Sequence, residues 1–180
     1  DIRRDSGIPF KFWSYGRLDV LARHPAMMDL IGEIGWSGIS FGVETLNRKA
    51  GSAVGKGADP EKLKACLLEI KRRYPEIHLQ VNLIVGLPHS TREDIKESID
   101  WFIANDVANY LRVVDLDIRD SSKLSTGSLF SKNPQKFGFK IIASDGSRYD
   151  WQNESFTRES AKAYAAEMNR YIDAAKKSNK

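Results

Sequence analysis

The 180-residue chain has a single cysteine, Cys66. It can therefore form no intramolecular disulfide and no all-cysteine metal site by itself, and a reducing cytoplasm is the simplest expected location. The three histidines, His24, His78 and His89, have no second ligand at metal-binding spacing, so we predict no metal site. No run approaches the roughly 20 consecutive apolar residues of a membrane helix, and we expect no membrane contact.

A strong charge of one sign is also lacking. Lysine and arginine number 28 against 24 acidic residues, a net charge of +4 at pH 7. This small, scattered excess argues against nucleic acid as a partner. The content of 41% apolar and 29% charged residues is that of an ordinary globular protein, long enough to bury a substantial core.

Apolar periodicity predicts helices that alternate with strands. Apolar spacing and capping residues predict helices over 25–34, 59–74, 91–105 and 158–175, with Asp59 and Thr91 as N-caps of the second and third. The residues predicted to face inward are Met27, Leu30, Ile31 and Ile34 on the first helix, and Ala161, Tyr164, Ala165, Met168 and Ile172 on the last. Short apolar or alternating runs predict strands over 10–18, 38–44, 78–85 and 110–118. Because parallel strands need crossovers, this alternation indicates an α/β fold with about four parallel strands, too few to close a barrel by themselves.

The pattern changes after about residue 121. The following stretch is rich in Ser, Lys, Asn and Gly, which indicates an irregular segment, with one hairpin near Asp145-Gly146 before the final helix. We therefore divide the chain into βα units over 1–120 and an irregular segment with a C-terminal helix over 121–180.

Ligands of parallel α/β folds bind at the carboxyl ends of strands, so polar residues there are candidates. On the first strand, Arg17 and Asp19 stand two apart, which predicts one face. Arg17 could hold a carboxylate bidentately, or form a structural pair with Asp19 or Glu44. On the second strand, Ser40, Gly42 and Glu44 share a face. Glu44 is suited to accept hydrogen bonds from a ribose or an ammonium group; capping a helix or pairing with a lysine is the alternative.

On the third strand, Gln80, Asn82 and Gly86 share a face. Amides in an otherwise apolar strand are costly unless satisfied, so they mark either a ligand or an internal hydrogen-bond network. Gly86 would let a ligand approach the backbone closely. We interpret Thr91, which follows, as a plain helix cap.

The fourth strand ends with acidic residues around an arginine. Asp115, Asp117 and Asp120 flank Arg119. Paired acids can hold a divalent cation, but no other residue supports one, and we expect a solvated salt-bridge cluster.

Three motifs in order carry a resemblance to a known family. They are FWSYGRLDVL, IGWSGISFGVETLN and IHLQVNLIVGLPHSTREDIKESIDWF, over roughly residues 10–102. An aromatic strand ending in Arg-x-Asp, an aromatic-Gly-x-Glu strand end and a strand ending in Gly-Leu-Pro before a Thr-capped helix resemble the radical S-adenosylmethionine superfamily. The resemblance is strongest to the group whose members often carry an added cobalamin-binding domain.

This resemblance implies the partial (β/α)6 barrel of the family, of the TIM type, with its third to sixth strands present. It implies that Glu44 contacts the ribose or the methionyl amino group of S-adenosylmethionine and that Asn82 lines the same pocket. The remaining cofactor-binding residues implied are the small pair Ser40 and Gly42, the adenine-side turn Gly86, Leu87 and Pro88, and Arg17 near the methionyl end or the substrate.

The chain departs from the family in lacking the CxxxCxxC loop that holds a [4Fe–4S] cluster. Cys66 lies on the apolar stripe of a predicted helix, and one thiolate cannot hold the cluster. The glycine-rich motif after the second strand is absent as well. In the intact family the cluster reduces S-adenosylmethionine to a 5′-deoxyadenosyl radical, so we expect this chain alone to be inactive.

We therefore expect a fragment of a radical S-adenosylmethionine enzyme whose N-terminal, cluster-binding part lies upstream of Asp1, with cobalamin as a further candidate cofactor. The alternatives are a non-catalytic truncated barrel and an unrelated α/β-barrel enzyme. The substrate, a small molecule or a peptide, is not readable, and Trp151, Asn153 and Phe156 are the predicted substrate-side residues. An uncovered edge of the first strand predicts self-association.

Overall fold

The computed structural model of the chain describes residue 7 and residues 10–119, 132–144 and 146–178. Single 3-10 turns occur at Pro25–Met27 and Pro134–Phe137. The other regular elements, in chain order, are β1 (Phe12–Gly16), α1 (Leu18–Arg23), α2 (Met28–Ile34), β2 (Trp36–Glu44), α3 (Arg48–Ala53), α4 (Pro60–Arg73), β3 (His78–Val85), α5 (Arg92–Asn105), β4 (Tyr110–Asp115), β5 (Lys140–Ser144), β6 (Tyr149–Gln152) and α6 (Arg158–Ser178).

The first four strands form one parallel sheet in the order β1-β2-β3-β4. Each strand pairs with the next in the chain, and helices fill the connections. Because βα crossovers are right-handed, a sheet wound in one direction has its helices on one face, as in a barrel. The predicted α/β fold with four parallel strands and flanking helices is confirmed.

The two faces of this sheet differ in composition. One face is apolar and buried against helices, through strand residues such as Phe41, Val81 and Val113. The opposite face is polar and partly exposed. We call it the open face, and its central residues, aligned by the strand register, are Ser40, Gly42, Gln80, Asn82, Tyr110 and Arg112.

Local signals set the helix ends. Asp59 accepts a hydrogen bond from the Glu61 amide ahead of α4, whose first residue is Pro60. Thr91 and Asp94 form a reciprocal capping box at the start of α5. These predicted caps are confirmed, as are the predicted inward residues of the last helix, since Ala161, Tyr164, Ala165, Met168 and Ile172 of α6 are all buried.

Two predictions for the first βα unit are wrong. The first strand ends at Gly16, and Asp19 lies in the first turn of α1 rather than on the strand. The predicted helix over 25–34 begins with a 3-10 turn, and its buried residues are Met28 and Ile31. The 3-10 turn shifts the phase of the helix, so Met27, Leu30 and Ile34, predicted to face inward, are exposed.

The two edges of the sheet are treated differently. Along β4, the side-chain amide of Asn169 on α6 accepts from the Val113 N–H at 3.0 Å and donates to the Val113 carbonyl at 2.8 Å. This amide takes the place of a neighbouring strand at that edge. The opposite edge belongs to β1, whose aromatic residues Phe12, Trp13 and Tyr15 are exposed.

The C-terminal segment packs onto the sheet through a hairpin and a helix. β5 and β6 pair antiparallel, as the predicted hairpin requires, although Asp145 itself lies outside the described residues. Trp151 of β6 joins the same core as the strands, and α6 packs on β4 and β3. No helix of the described residues is long and apolar enough to cross a membrane.

Candidate functional site

Glu44 ends β2 in a strained conformation. Its φ is +66°, and the Thr45 N–H donates to the Val43 carbonyl at 2.8 Å, which closes a three-residue turn around Glu44. Turns of this kind are rare and cost of order 1–3 kcal/mol for a residue other than glycine. The turn folds the side chain over Gly42, where a Cβ would lie 2.5 Å from Glu44 Oε1. Gly42 thus leaves room for the Glu44 carboxylate on the open face.

Lys56, from the loop between α3 and α4, is the partner of this carboxylate. Its Nζ lies 3.6 Å from Glu44 Oε1 and donates to the Gly42 carbonyl at 2.9 Å. Burial raises the pKa of Glu44 above its usual value, and the positive charge of Lys56 offsets only part of that rise. The lysine pair, one of the two alternatives for Glu44, is therefore present.

Gln80 and Asn82 lie half-buried on the open face beside Glu44 and Gly42. Within the part of the chain that the structure describes, neither side-chain amide has a hydrogen-bond partner. The hydroxyl of Ser40, in register with Gln80, is buried and has no partner either. Of the two explanations for polar residues in β3, an internal network is not formed among the described residues. The half-buried amides of Gln80 and Asn82 are open to solvent or to a ligand.

Gly86 is held by the protein itself. It has φ +94°, and a Cβ there would lie 3.0 Å from Trp151 Cζ2, so the indole covers this glycine. Asn153 Nδ2 donates to the Gly86 carbonyl at 3.0 Å. Trp151 is fully buried and Phe156 is 3% exposed. The expected free approach of a ligand to Gly86 is thus blocked on the Cβ side, and the substrate-side role of these three residues stays a prediction.

The neighbouring turn residues, Leu87 and Pro88, are buried as well. Ser90 follows them and has a buried hydroxyl without a partner among the described residues. The structure brings Ser40, Gly42, Glu44 and Asn82 together on the open face and places the Gly86 turn against the C-terminal hairpin.

Arg17 lies at the carboxyl end of β1 and forms a bidentate ion pair with Asp19. Its Nε and Nη2 donate to the two carboxylate oxygens of Asp19 at 3.0 and 2.7 Å, and Arg23 adds a bond of 2.7 Å to Oδ2. Burial alone would raise the pKa of Asp19, but the hydrogen bonds from Arg17 hold it below its usual value. The structural Arg17–Asp19 pair, which was one of the alternatives, is formed.

The end of β4 carries the expected ion pairs. Asp117 lies 3.1 Å from Arg119 Nε and 3.6 Å from Arg148 Nε. Asp120 lies outside the described residues. Among the described residues no group of three or more His, Cys, Asp or Glu side chains could hold a metal ion.

Comparison with solved structures identifies the fold. A radical S-adenosylmethionine methyltransferase, TsrM from Kitasatospora setae, matches 81% of this chain and 29% of its own length, with a TM-score of 0.52 and 18% identity. An N-terminally deleted Elp3 from the archaeon Methanocaldococcus infernus matches 69% of this chain and 27% of its own, with a TM-score of 0.50 and 13% identity. The chain has part of the radical S-adenosylmethionine fold.

A curated relative matches a shorter stretch of the sequence. The anaerobic coproporphyrinogen III oxidase 1 of Cereibacter sphaeroides is 33% identical over 81 residues, 42% of this chain. No protein-family model matches. The chain covers 18% of this relative and less than a third of either solved structure, so it corresponds to only part of a radical S-adenosylmethionine fold.

The described residues do not fit an iron–sulfur cluster. Cys66 is the only thiol of the chain, and it lies buried on α4, as the predicted stripe requires. Burial raises the pKa of the Cys66 thiol to about 11, with a smaller contribution from Glu69. Cluster ligands are thiolates, and this thiol is neither ionised at neutral pH nor accompanied by others.

A large cavity lies away from these residues. It measures about 850 Å³ and opens at the amino ends of β3 and β4, near Asn109, Asp173 and Lys176. A smaller cavity of about 450 Å³ lies between Asp115 at the end of β4 and Arg158 on α6. Radical S-adenosylmethionine folds are barrels of the TIM type, in which ligands bind at the carboxyl ends of the strands. The volume of a cavity therefore does not identify the ligand site of this chain.

Three residues of the site were missed from the sequence. Lys56 lies between Gly55 and Gly57 in a loop that brings it to Glu44. The sequence does not show that these two side chains lie close together. Tyr110 and Arg112 stand two residues apart on β4, so both side chains lie on the open face. That signal was available, but only the end of this strand was considered.

Proposed function

We propose that this chain is the later part of the barrel of a radical S-adenosylmethionine enzyme and that its open face contributes to the S-adenosylmethionine site. The observation that carries this proposal is the pair of unpartnered amides, Gln80 and Asn82, beside the strained Glu44. Strain of this kind persists at binding and catalytic sites because the surrounding structure enforces it.

The proposed roles follow from hydrogen-bonding chemistry. The Glu44 carboxylate accepts hydrogen bonds from ribose hydroxyls or the methionyl amino group, while the Asn82 amide both donates and accepts. Lys56 holds the Glu44 carboxylate over Gly42. Gly42 accommodates the Glu44 carboxylate, and the buried Ser40 hydroxyl has no partner among the described residues.

The missing part of the barrel belongs on the β1 side. Asn169 of α6 occupies the N–H and C=O of Val113 at the β4 edge, so we place a further strand along β1. Of eleven large hydrophobic side chains that are exposed among the described residues, seven lie within residues 10–34. Apolar side chains concentrated beside an open edge are typical of a surface that another part of the protein covers.

We further propose that this upstream part supplies the cluster thiolates, because this chain cannot. The chain alone is then inactive in radical chemistry. The TsrM structure contains cobalamin; for this chain cobalamin rests on the sequence resemblance alone.

Titration of the isotopically labelled chain with S-adenosylmethionine, followed by NMR, tests the site. We expect saturable shifts of backbone amides at Gly42, Glu44 and Asn82, and weaker binding in Asn82→Ala. Asn105→Ala is the matched control, since Asn105 is exposed at the end of α5, where its side chain bonds only the Trp101 carbonyl. Shifts confined to the amino-end cavity, or none at all, would contradict the proposal.

A truncated barrel that binds a ligand without catalysis is the second candidate, favoured by the single cysteine. The coding sequence upstream of Asp1 separates the two candidates, because a CxxxCxxC motif there supports the enzyme. Anaerobic reconstitution of this chain with iron and sulfide should give no cluster absorbance. A cluster spectrum from the chain alone would refute the division of roles proposed here.

A further inference from the structure

We propose that four side chains on β3 and β4 form a recognition site for a carboxylate. They are Gln80, Asn82, Tyr110 and Arg112. The inference deepens the proposed function, on which it rests, by naming a ligand group for the same open face.

The register of the sheet brings the four together. Gln80 lies opposite Tyr110, and Asn82 lies opposite Arg112. Neighbouring strands stand about 4.8 Å apart, and residues two apart on one strand share a face at roughly 6.6 Å. The four side chains therefore rise from the corners of a small rectangle, comparable in size to one carboxylate and its hydrogen-bonding partners.

Their chemistry favours an anion. Arg112 presents a fork of N–H donors, Gln80 and Asn82 each carry an amide donor, and Tyr110 carries a hydroxyl. The one hydrogen bond among them joins Arg112 Nη1 to the Tyr110 hydroxyl at 3.3 Å, within the part of the chain described. The guanidinium thus keeps its other donors, and no described carboxylate lies within ion-pair distance of it.

The charge nearby leaves Arg112 uncompensated. The Glu44 carboxylate is paired with Lys56, and the Arg17 guanidinium is paired with Asp19. Asp115 lies in register with the buried Val85, so it belongs to the other face of the sheet. An arginine with two neighbouring amides and no acid is suited to bind a planar carboxylate bidentately.

The carboxylate has two candidate sources, the methionyl group of S-adenosylmethionine and the substrate. Three probes distinguish them in titrations of the chain: S-adenosylmethionine, its decarboxylated analogue, and succinate. Each is measured on the unaltered chain, Arg112→Gln and Arg112→Lys. The control Arg170→Gln removes the same charge from an exposed position on α6.

Loss of a charge-assisted bidentate pair should weaken binding by about tenfold or more, and lysine should restore only part of it. If Arg112→Gln weakens S-adenosylmethionine but not the decarboxylated analogue, the site takes the methionyl carboxylate. If it weakens succinate alone, the site takes a substrate carboxylate. Equal affinities in Arg112→Gln and Arg170→Gln for every probe would overturn the inference.

This outcome is separable from failure of the proposed function. Binding of succinate that depends on Arg112, without any binding of S-adenosylmethionine, would keep the carboxylate site and reject the cofactor site. Binding of S-adenosylmethionine that depends on Asn82 but not on Arg112, together with no binding of succinate, would keep the cofactor site and reject the carboxylate site.

Discussion

The contact between Gly86 and Trp151 can be tested by a double-mutant cycle. In Gly86→Ala the new methyl group would press against Trp151 Cζ2 at 3.0 Å and against two further atoms of the same ring. Trp151 is fully buried and its Nε1 donates to the Leu116 carbonyl at 3.1 Å, so the ring has little freedom to move. The expected result is a destabilised fold in the absence of any ligand.

The magnitude has two parts. An L-residue in the left-handed region, here with φ +94°, costs about 1–2 kcal/mol, and overpacking of a filled core costs about 1–3 kcal/mol. Gly86→Ala should therefore lower the free energy of unfolding by about 2–5 kcal/mol. In a Trp151→Phe background the clashing ring atoms are gone, and only the backbone part, about 1–2 kcal/mol, should remain.

Urea unfolding followed by circular dichroism gives all four stabilities of the cycle. We expect a coupling of about 1–3 kcal/mol between the two sites, the range typical of residues in contact. If Gly86→Ala costs the same in both backgrounds, the indole is not what requires a glycine at this position. A ligand that approaches the backbone would then be the better explanation.

Three further predictions concern the sheet edges and the candidate site. Asn169→Ala leaves the buried N–H and C=O of Val113 unpaired, so the free energy of unfolding should fall by about 2–4 kcal/mol in urea titrations; a loss below about 0.5 kcal/mol would show that the β4 edge does not need this amide. Because the folded pKa of Glu44 is raised, its contribution to stability is present below pH 4.5 and is lost as the pH rises through the folded pKa. The stability of the unaltered chain relative to Glu44→Gln should therefore fall as the pH rises above 4.5, the usual pKa of this group, and a difference that does not change with pH there would contradict the raised pKa. Light scattering should show self-association of the chain through β1, reduced in Tyr15→Lys, which replaces a residue that is 88% exposed, and unchanged in Leu68→Lys on α4; a monomer at high concentration would count against an open edge.

Local patterns predicted most of the secondary structure. The caps at Asp59 and Thr91 act within one helical turn, and β3 was predicted with its observed bounds, because alternation and turn residues are local properties. The βα order also restricts the topology strongly, since crossovers in parallel sheets are right-handed.

Part of the candidate site could be predicted for the same reason. The period of two puts Ser40 and Gly42 on one face of β2, and Gln80 and Asn82 on one face of β3. Burial of the alternate apolar residues then turns both pairs to the same face of the sheet. The strand end at Gly16 was missed because Leu18 was counted among the apolar residues of the strand, whereas it begins α1.

The sequence by itself determined most of the elements, their order and the polar face of the sheet, because these follow from contacts within a few residues. Only the tertiary structure decided which distant groups meet: Lys56 with Glu44, Trp151 over Gly86, and Asn169 along β4. Such pairs are set by how loops close and how helices pack. The periodicity of the sequence does not predict which of these distant residues come into contact.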